Sequence, residues 1–432
     1  MMVLFISRRF YPDIIGGGQI SAFYIAKAVK QQGNDVFVIT FTDKKKHKTE
    51  TIEGIKIFRL PIPKLKHFQR FSNLDYMYYQ MAKLSSKYIK KIKPDIIHLL
   101  NFESVPLASV YYKLKYKKPI VATVNGPIFG CFTQNAIDYK GNTCINCRIG
   151  KRFLCSKGKW GIAKGFFYYI YSIWYMNMLK FSYKFVDRFF VVSNAMKPLM
   201  RNMGVPTKKI SVVHNPIEIK KKVKSNLKKT LNINGKRIIL SGSRLAKEKG
   251  IQYVIEAMNY IDNAVFLIVG RKKGYYSELK KITHKLNLSK KVKFIGFVNE
   301  KKMGKLYSIS DVAILTGSFY EPLSRFLLEA ASYGLPLIAL DVGGNSEIIK
   351  HKKNGLLIKS TKPRVIANAI TSVLNNKFFY KKMSDESIKK VKKEFNLTKI
   401  GGILSEEYSK ILKTKEHEGK KQTRQKTTST RV

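Results

Sequence analysis

Residues 3–41 read VLFISRRFYPDIIGGGQISAFYIAKAVKQQGNDVFVITF. Residues 3–7 are a short apolar run that suits a buried strand. Pro12 and the triplet Gly16-Gly17-Gly18 mark a turn. Between 19 and 32, Ile20, Phe23, Tyr24, Ala28 and Val29 recur at helical spacing, and Gly33 suits the stop. Residues 35–41 form a second apolar run. Strand, glycine loop, helix and strand make a parallel βαβ unit.

The alternation extends outward from there. Residues 95–99, 119–123 and 188–192 read as further strands, with helical patterns between most of them. His214-Asn215-Pro216 interrupts the series, and a Lys-rich polar stretch, 220–229, follows. A second series then places strands at 237–241, 265–269, 292–295, 312–315 and 335–340. Two successive βα series predict an α/β protein with two doubly wound sheets, whose ligand sites lie at the carboxyl edges of the strands. The expected division is a first domain over 1–213, a linker over 214–236, a second domain over 237–376 and helices over 377–412. The tail 413–432 is polar, basic and poor in apolar residues, and is expected to be disordered. No internal repeat is evident.

The 432 residues are 44% hydrophobic, enough for two cores. Lys and Arg total 82 against 28 Asp and Glu, a net charge of +54. Such an excess attracts nucleic acid, acidic lipid headgroups or phosphorylated substrates. Spread along the whole chain, most of it reads as solvated surface, with the remainder available to hold the protein near an anionic membrane. No nucleic-acid-binding motif is present, so nucleic acid is not an expected partner. The first ten residues run apolar then basic, the reverse of a secretory signal. No apolar run reaches the roughly 18 residues of a spanning helix. A cytoplasmic protein is expected, peripheral at the inner face of the membrane if it meets lipid at all.

The second series carries the chemistry. After the strand 237–241 comes Gly242-Ser243-Arg244-Leu245-Ala246-Lys247-Glu248-Lys249-Gly250. Arg244 and Lys249 sit in a loop that leads into a helix N-terminus, an arrangement suited to a diphosphate. After the strand 312–315 comes GSFYEPLSRFLLEAASYG, 317–334. Glu321 stands before a turn containing Pro322, and Glu329 lies eight positions on. Carboxylates accept strong hydrogen bonds from sugar hydroxyls. After 335–340, Asp341-Val342-Gly343-Gly344-Asn345-Ser346-Glu347 places paired glycines where backbone can approach a ligand.

The ordered series of these segments resembles glycosyltransferase family 4, the retaining nucleotide-sugar transferases of GT-B fold. Its further members are Gly16–Gly18, residues 191–197 (VVSNAMK), 213–218 (VHNPIE), 294–298 (FIGFV) and 307–311. The resemblance covers roughly residues 3–375. It implies two Rossmann-like domains facing across a cleft. It further implies that Arg244 and Lys249 bind the donor diphosphate, that Glu321 meets the donor sugar with Leu323 and Ser324 beside it, and that Glu329 meets the ribose. The backbone of Gly296, Phe297 and Val298 would meet the base, and Gly17 and Gly18 the donor phosphate or the acceptor. The implied donor is a UDP- or GDP-sugar, and the acceptor a carbohydrate or lipid-linked glycan. No cofactor is required, which agrees with the absence of an Asp-x-Asp motif. Two departures stand out. Pro322-Leu323-Ser324-Arg325 replaces the usual glycine-bearing turn. Asn125 stands where many members carry a histidine. Asn125 is an amide, not a base, and is expected to contact sugar within the catalytic group. His98 reads either as a family histidine or as a satisfied core histidine.

Two features lie outside this scheme. Cys131, Cys144, Cys147 and Cys155 fall in an insertion over 125–160, with the arithmetic of a structural four-thiolate zinc site. Free thiols are the alternative, and a cytosolic setting argues against disulfides. Residues 166–185 (FFYYIYSIWYMNMLKFSYKF) fit either a core helix of the first domain or a membrane interface. Rival functions remain a basic nucleic-acid-binding protein and another GT-B activity, such as a sugar-nucleotide epimerase or a phosphorylase.

Overall fold

The computed structural model describes residues 1–14, 16–44, 46–62, 73–100, 106–126, 131, 136–141 and 143–429. The chain divides into two units. The first holds Met1–Tyr139, Ile145–Pro216 and Leu397–Val432, and the second Lys140–Cys144 and Ile217–Asn396.

Among its described residues the first unit has eight strands: β1 (Met2–Ser7), β2 (Asp35–Thr42), β3 (Lys48–Ile52), β4 (Ile55–Pro61), β5 (Ile96–Leu100), β6 (Ile120–Val124), β7 (Arg188–Val191) and β8 (Ile210–Val212). Their order is β3-β4-β2-β1-β5-β6-β7-β8. Every pairing is parallel except β3 with β4. The order reverses between β1 and β5, and the helix Gly17–Lys30 follows β1. Central strands such as β5 and β6 are buried throughout, because helices cover both faces of a parallel sheet. Their continuous apolar runs were therefore readable. The β3–β4 hairpin was not, since β3 is the polar edge strand KTETI.

His98, on β5, is fully buried. Its Nδ1 lies 2.6 Å from the Tyr408 hydroxyl and its Nε2 2.7 Å from Thr123 Oγ1. It is a core histidine that ties β5 and β6 to the C-terminal helix Leu397–Ser429. Burial pushes its pKa down from 6.5 to about 3. The unfolded chain therefore takes up a proton that the folded chain refuses. The stability His98 confers is full above pH 6.5 and is lost as pH falls toward 3, by at most about 1.4 kcal/mol per pH unit. Urea midpoints of wild type should accordingly fall faster with acid than those of His98→Gln. Equal slopes in the two proteins would refute this.

The second unit carries β9 (Arg237–Gly242), β10 (Ala264–Val269), β11 (Val292–Gly296), β12 (Val312–Leu315), β13 (Leu337–Leu340) and β14 (Gly355–Ile358). All pairings are parallel, in the order β11-β10-β9-β12-β13-β14. Counted from β9, that is 3-2-1-4-5-6, a doubly wound order with its switch point between β9 and β12. Ile239, Phe266, Ile314 and Ile338 line its core with Ile255 and Ile370 from the covering helices.

Three expectations are corrected. The linker expected over 214–236 is mostly part of the second unit, which begins at Ile217, and within it Val223 N–H donates to Ser308 Oγ at 2.9 Å. The C-terminal helices do not form one block, because Lys377–Lys390 belongs to the second unit and Leu397–Ser429 to the first. The tail expected to be disordered continues that last helix through Ser429. Its Lys, Glu and Gln are good helix formers, and pairs such as Lys415–Glu418 support it. The cysteine-bearing insertion 125–160, whose spacing is that of a four-thiolate zinc site, is described only in part. Residues 127–130, 132–135 and 142 lie outside those described. Cys155 stands on a helix, Ile149–Trp160, and buried Arg152 donates through Nε and Nη2 to the Cys147 carbonyl. None of the four cysteines forms a disulfide. Among the described residues no group of three or more His, Cys, Asp or Glu is placed to hold a metal ion.

Candidate functional site

In the second unit the loops after β9, β12 and β13 meet at the carboxyl edge of the sheet, around the switch point. Glycine makes the meeting close. Gly250, at φ +69°, ends the loop after β9, and a Cβ there would lie 2.1 Å from the Thr316 carbonyl oxygen beyond β12. Thr316 Oγ1 donates to the Gly250 carbonyl at 2.8 Å. Gly343, at φ +56°, would put a Cβ 2.0 Å from the Glu321 carbonyl oxygen. That carbonyl accepts from Gly344 N–H at 2.7 Å. The three loops are thus sewn together through backbone, and Lys249 and Glu321 are positioned by rigid neighbours.

Lys249 Nζ lies 3.2 Å from Glu321 Oε2, with both side chains 12% exposed. The same ammonium sits 3.6 Å from the centre of the Phe319 ring. Burial pushes the Lys249 pKa below the ordinary lysine range, and the Glu321 carboxylate opposes that shift. A partly desolvated cation, held between a carboxylate and an aromatic face, keeps its charge through these two partners. Arg244 differs: it is 76% exposed, with Nη2 3.9 Å from Glu248 Oε1. It is a mobile-length cation at the rim, and its guanidinium is not committed to a buried partner.

Glu321 precedes the helix Arg325–Ser332, as Pro322 implied, and does not share a helix face with Glu329. Ser324 caps that helix, its Oγ accepting from Leu327 N–H at 3.3 Å. Leu323 is buried. These two expected donor contacts therefore serve the turn through their side chains. Glu329 accepts from Arg325 Nε at 2.9 Å and from the Tyr307 hydroxyl at 3.0 Å. Arg325 thus spends its charge on Glu329. Gly296, at φ +86°, ends β11, and the next residue, Phe297, is exposed with the Arg271 guanidinium 4.7 Å from its ring centre. Val298 beside it is half-buried.

The first-unit candidates are described apart from these. Gly17 and Gly18 open the helix Gly17–Lys30, where Gly16 N–H donates to Gln19 Oε1 at 2.9 Å. Asn125 follows β6, and both of its amide atoms are buried with no hydrogen-bond partner among the described residues. Buried amides are normally satisfied, so this one is suited to a polar ligand. Sequence reasoning singled out Lys249 and Glu321 and placed Tyr307 in the family series, but named neither Phe319 nor Thr316 as a site residue. Phe319 lies two positions before Glu321, and an aromatic so near a site acid was the available signal. Nothing in the sequence marks Thr316, and the contact of Tyr307 with Glu329 comes from distant elements folding together.

Residues 15–221 match the family described as Glycosyltransferase Family 4, and residues 223–393 the one described as Glycosyl transferases group 1. The chain is 25% identical to an uncharacterized glycosyltransferase of Methanocaldococcus jannaschii, over 93% of this chain and 96% of that one. It is 26% identical to the N-acetyl-alpha-D-glucosaminyl L-malate synthase of Bacillus anthracis, over 55% of this chain and 63% of that one. Among solved structures, sucrose-phosphate synthase from Thermosynechococcus elongatus aligns with a TM-score of 0.76 at 19% identity, covering 95% of this chain and 99% of that one. Anabaena HepE in complex with UDP and glucose aligns with a TM-score of 0.70 at 18% identity, covering 95% and 100%. At these identities the structural likeness speaks for the fold.

Proposed function

This chain belongs to glycosyltransferase family 4, with the GT-B fold and a nucleotide-sugar donor, and on that footing we propose that it is a retaining enzyme that moves a hexose from a UDP- or GDP-sugar to a glycan or lipid-linked acceptor at the inner face of a membrane. The observation that carries the reading is the Lys249 ammonium, fixed at the switch point between Glu321 and the Phe319 ring.

Lys249 and Arg244 neutralise the charge that grows on the departing diphosphate. Lys249 does so as a fixed point charge and Arg244 as a planar fork that closes on the phosphates from the rim. Glu321 accepts hydrogen bonds from the donor sugar hydroxyls, and Glu329, held by Arg325 and Tyr307, accepts from the ribose. The exposed Phe297 offers its ring and neighbouring backbone to the base. Asn125, whose buried amide lacks a partner among the described residues, is suited to a polar contact with sugar. The acceptor hydroxyl attacks the anomeric carbon on the face that the diphosphate leaves. A glycosidic C–O bond forms, the C–O bond to the diphosphate breaks, and the acceptor proton passes to a diphosphate oxygen. No protein nucleophile and no metal ion enters these steps. UDP bound in the Anabaena structure supports a uridine nucleotide here.

A thermal-shift screen with UDP, GDP and ADP tests the donor site. Ligand at about 100 times its Kd adds about 2.7 kcal/mol of stability, or roughly 5–10 °C for a unit of this size. One nucleotide should produce that rise and the others little. No rise with any of them would end the reading. Product analysis then separates transfer from its rivals, because an epimerised or phosphorylated free sugar in place of a glycoside identifies a different GT-B reaction.

A further inference from the structure

The helix Ile162–Tyr183 does not behave as the core helix that its aromatic content suggests. One side is buried through Tyr175, Met176, Leu179 and Tyr183. The other carries Phe166 (57% exposed), Ile170, Trp174 (52% exposed) and Phe181 in solvent. At about 100° per residue these four fall within a stripe roughly 80° wide along some 25 Å of helix. Ile162 and Phe167 widen it at either edge, both exposed. Scattered single apolar residues need no explanation, but an aligned exposed stripe of this kind does.

The mount is rigid. Gly161, at φ +78°, turns the chain from the helix Ile149–Trp160 into this one. Gly165 lets the two helices touch, since a Cβ there would lie 2.8 Å from Lys157 Cα. Trp160 stacks on Tyr168 at 4.2 Å, and Phe153 packs edge-on to Tyr169 at 5.5 Å.

Charge says what covers the stripe. No acidic residue lies between Asp138 and Asp187, a run that includes both helices. Lys184 is exposed within the arc of the stripe at its C-terminal end, Lys180 is exposed about 40° outside it, and exposed Lys164 lies well off that face. Lys157 and Lys159 are exposed on the neighbouring helix. Exposed Phe, Trp and Ile with lysines at one end, and no acid among them, is complementary to an anionic bilayer surface, where aromatic rings sit at headgroup level and lysines meet phosphates. Among the described residues no helix is long and apolar enough to cross a membrane, so the helix lies in the interface plane.

We propose that the face of helix Ile162–Tyr183 bearing Phe166, Ile170, Trp174 and Phe181, with Lys180 and Lys184 at its C-terminal end, docks the enzyme on anionic lipid headgroups. The proposal deepens, and rests on, the reading of a transferase that works at a membrane. Docking places the first unit against the layer that would hold a lipid-linked acceptor.

Full-length protein is mixed with vesicles of equal parts phosphatidylglycerol and phosphatidylcholine, and with vesicles of phosphatidylcholine alone. Co-sedimentation and tryptophan emission are both followed. The chain has two tryptophans, so Trp160→Phe leaves Trp174 as the only emitter. Its emission should shift to the blue with the anionic vesicles and not with the neutral ones. Replacing Phe166, Ile170 and Trp174 together by serine should abolish sedimentation with vesicles, with circular dichroism unchanged because these side chains are already in solvent. Lys180→Gln and Lys184→Gln together should weaken binding by about 25-fold, at about fivefold per lysine. Equal binding to both vesicle types, unchanged binding by the serine variant, or no binding by wild type overturns the proposal. So does a dimer in solution whose Trp174 emission ignores vesicles, which would assign the face to a second copy. Nucleotide thermal shifts on the same preparation separate the two readings. A nucleotide response without vesicle binding removes the docking surface and leaves the transferase. Vesicle binding without any nucleotide response removes the transferase and leaves the docking surface.

Discussion

Glu321→Ala lowers kcat/KM for sugar transfer by about 10³-fold or more, measured on the folded fraction. Two losses combine. The carboxylate that accepts the donor sugar's hydroxyls is gone, at about 1.5–3 kcal/mol for each charged hydrogen bond. Lys249 is also left buried without its ion-pair partner, which lies 3.2 Å away in wild type. Removing one member of a buried pair costs about 3–5 kcal/mol of stability, so the urea midpoint falls as well. The pH dependence shows which loss dominates. Burial already lowers the Lys249 pKa, and Glu321 opposes that shift by charge and hydrogen bond, with Glu248 behind it. Without Glu321 the pKa falls further, and the cation that grips the diphosphate is lost at a lower pH. The alkaline limb of the pH–rate profile should therefore move toward acid in Glu321→Ala. Glu321→Gln keeps the volume and one acceptor but not the charge, and should show the same acid-ward movement with a smaller loss of stability. Wild-type rates in Glu321→Ala would remove Glu321 from the site altogether.

How far such a site can be read from sequence depends on what each residue answers to. β5, β6, β10 and β12 lie under helices on both faces, so their apolar runs announced parallel strands without help from tertiary structure. β3 did not, because an edge strand pairs on one side only and tolerates KTETI. Lys249 and Glu321 were legible because each follows a strand and so must emerge at the carboxyl edge. That they meet follows from the strand order, which puts β9 beside β12. Tyr307 and Thr316 act on Glu329 and Gly250 across separate elements, and no local pattern encodes such a contact. The aromatic helix left two readings open, core or membrane interface, and only the packing of Tyr175, Leu179 and Tyr183 shows which half is inside. The cysteine spacing is metal-like in one dimension, with Cys155 on the helix Ile149–Trp160 and Cys147 just before it. A spacing sets which ligands are within reach and leaves open whether the chain curls back to join them.

Gly343→Ala is the sharper test of how the site is held, because it adds one methyl group and removes no functional atom. At φ +56° the added Cβ would stand 2.0 Å from the Glu321 carbonyl oxygen and 2.9 Å from the Glu321 nitrogen and carbonyl carbon. All three are backbone atoms, so no side chain can swing aside. The left-handed backbone itself costs about 1–2 kcal/mol for a residue with a Cβ, and the overlap about 1–3 kcal/mol more. The least costly escape is for the loop after β12 to retreat from Gly344, breaking the 2.7 Å hydrogen bond to the Glu321 carbonyl. That retreat carries the Glu321 carboxylate away from Lys249. Displacement of about 1 Å is enough to cost about 10²-fold in rate. Gly343→Ala should therefore lose at least that much activity, lose the thermal shift given by the matching nucleotide, and unfold at a urea concentration well below wild type. Gly402→Ala is the matched control, since its Cβ would meet nothing nearer than Gln32 Oε1 at 3.9 Å within the helix Leu397–Ser429. Alanine in a helix interior should leave activity unchanged and raise stability by about 0.5–1 kcal/mol. If Gly343→Ala keeps wild-type turnover and nucleotide response, the backbone stitching of the three loops is not what positions Glu321, and the Lys249–Glu321 pair loses its structural basis as the donor grip.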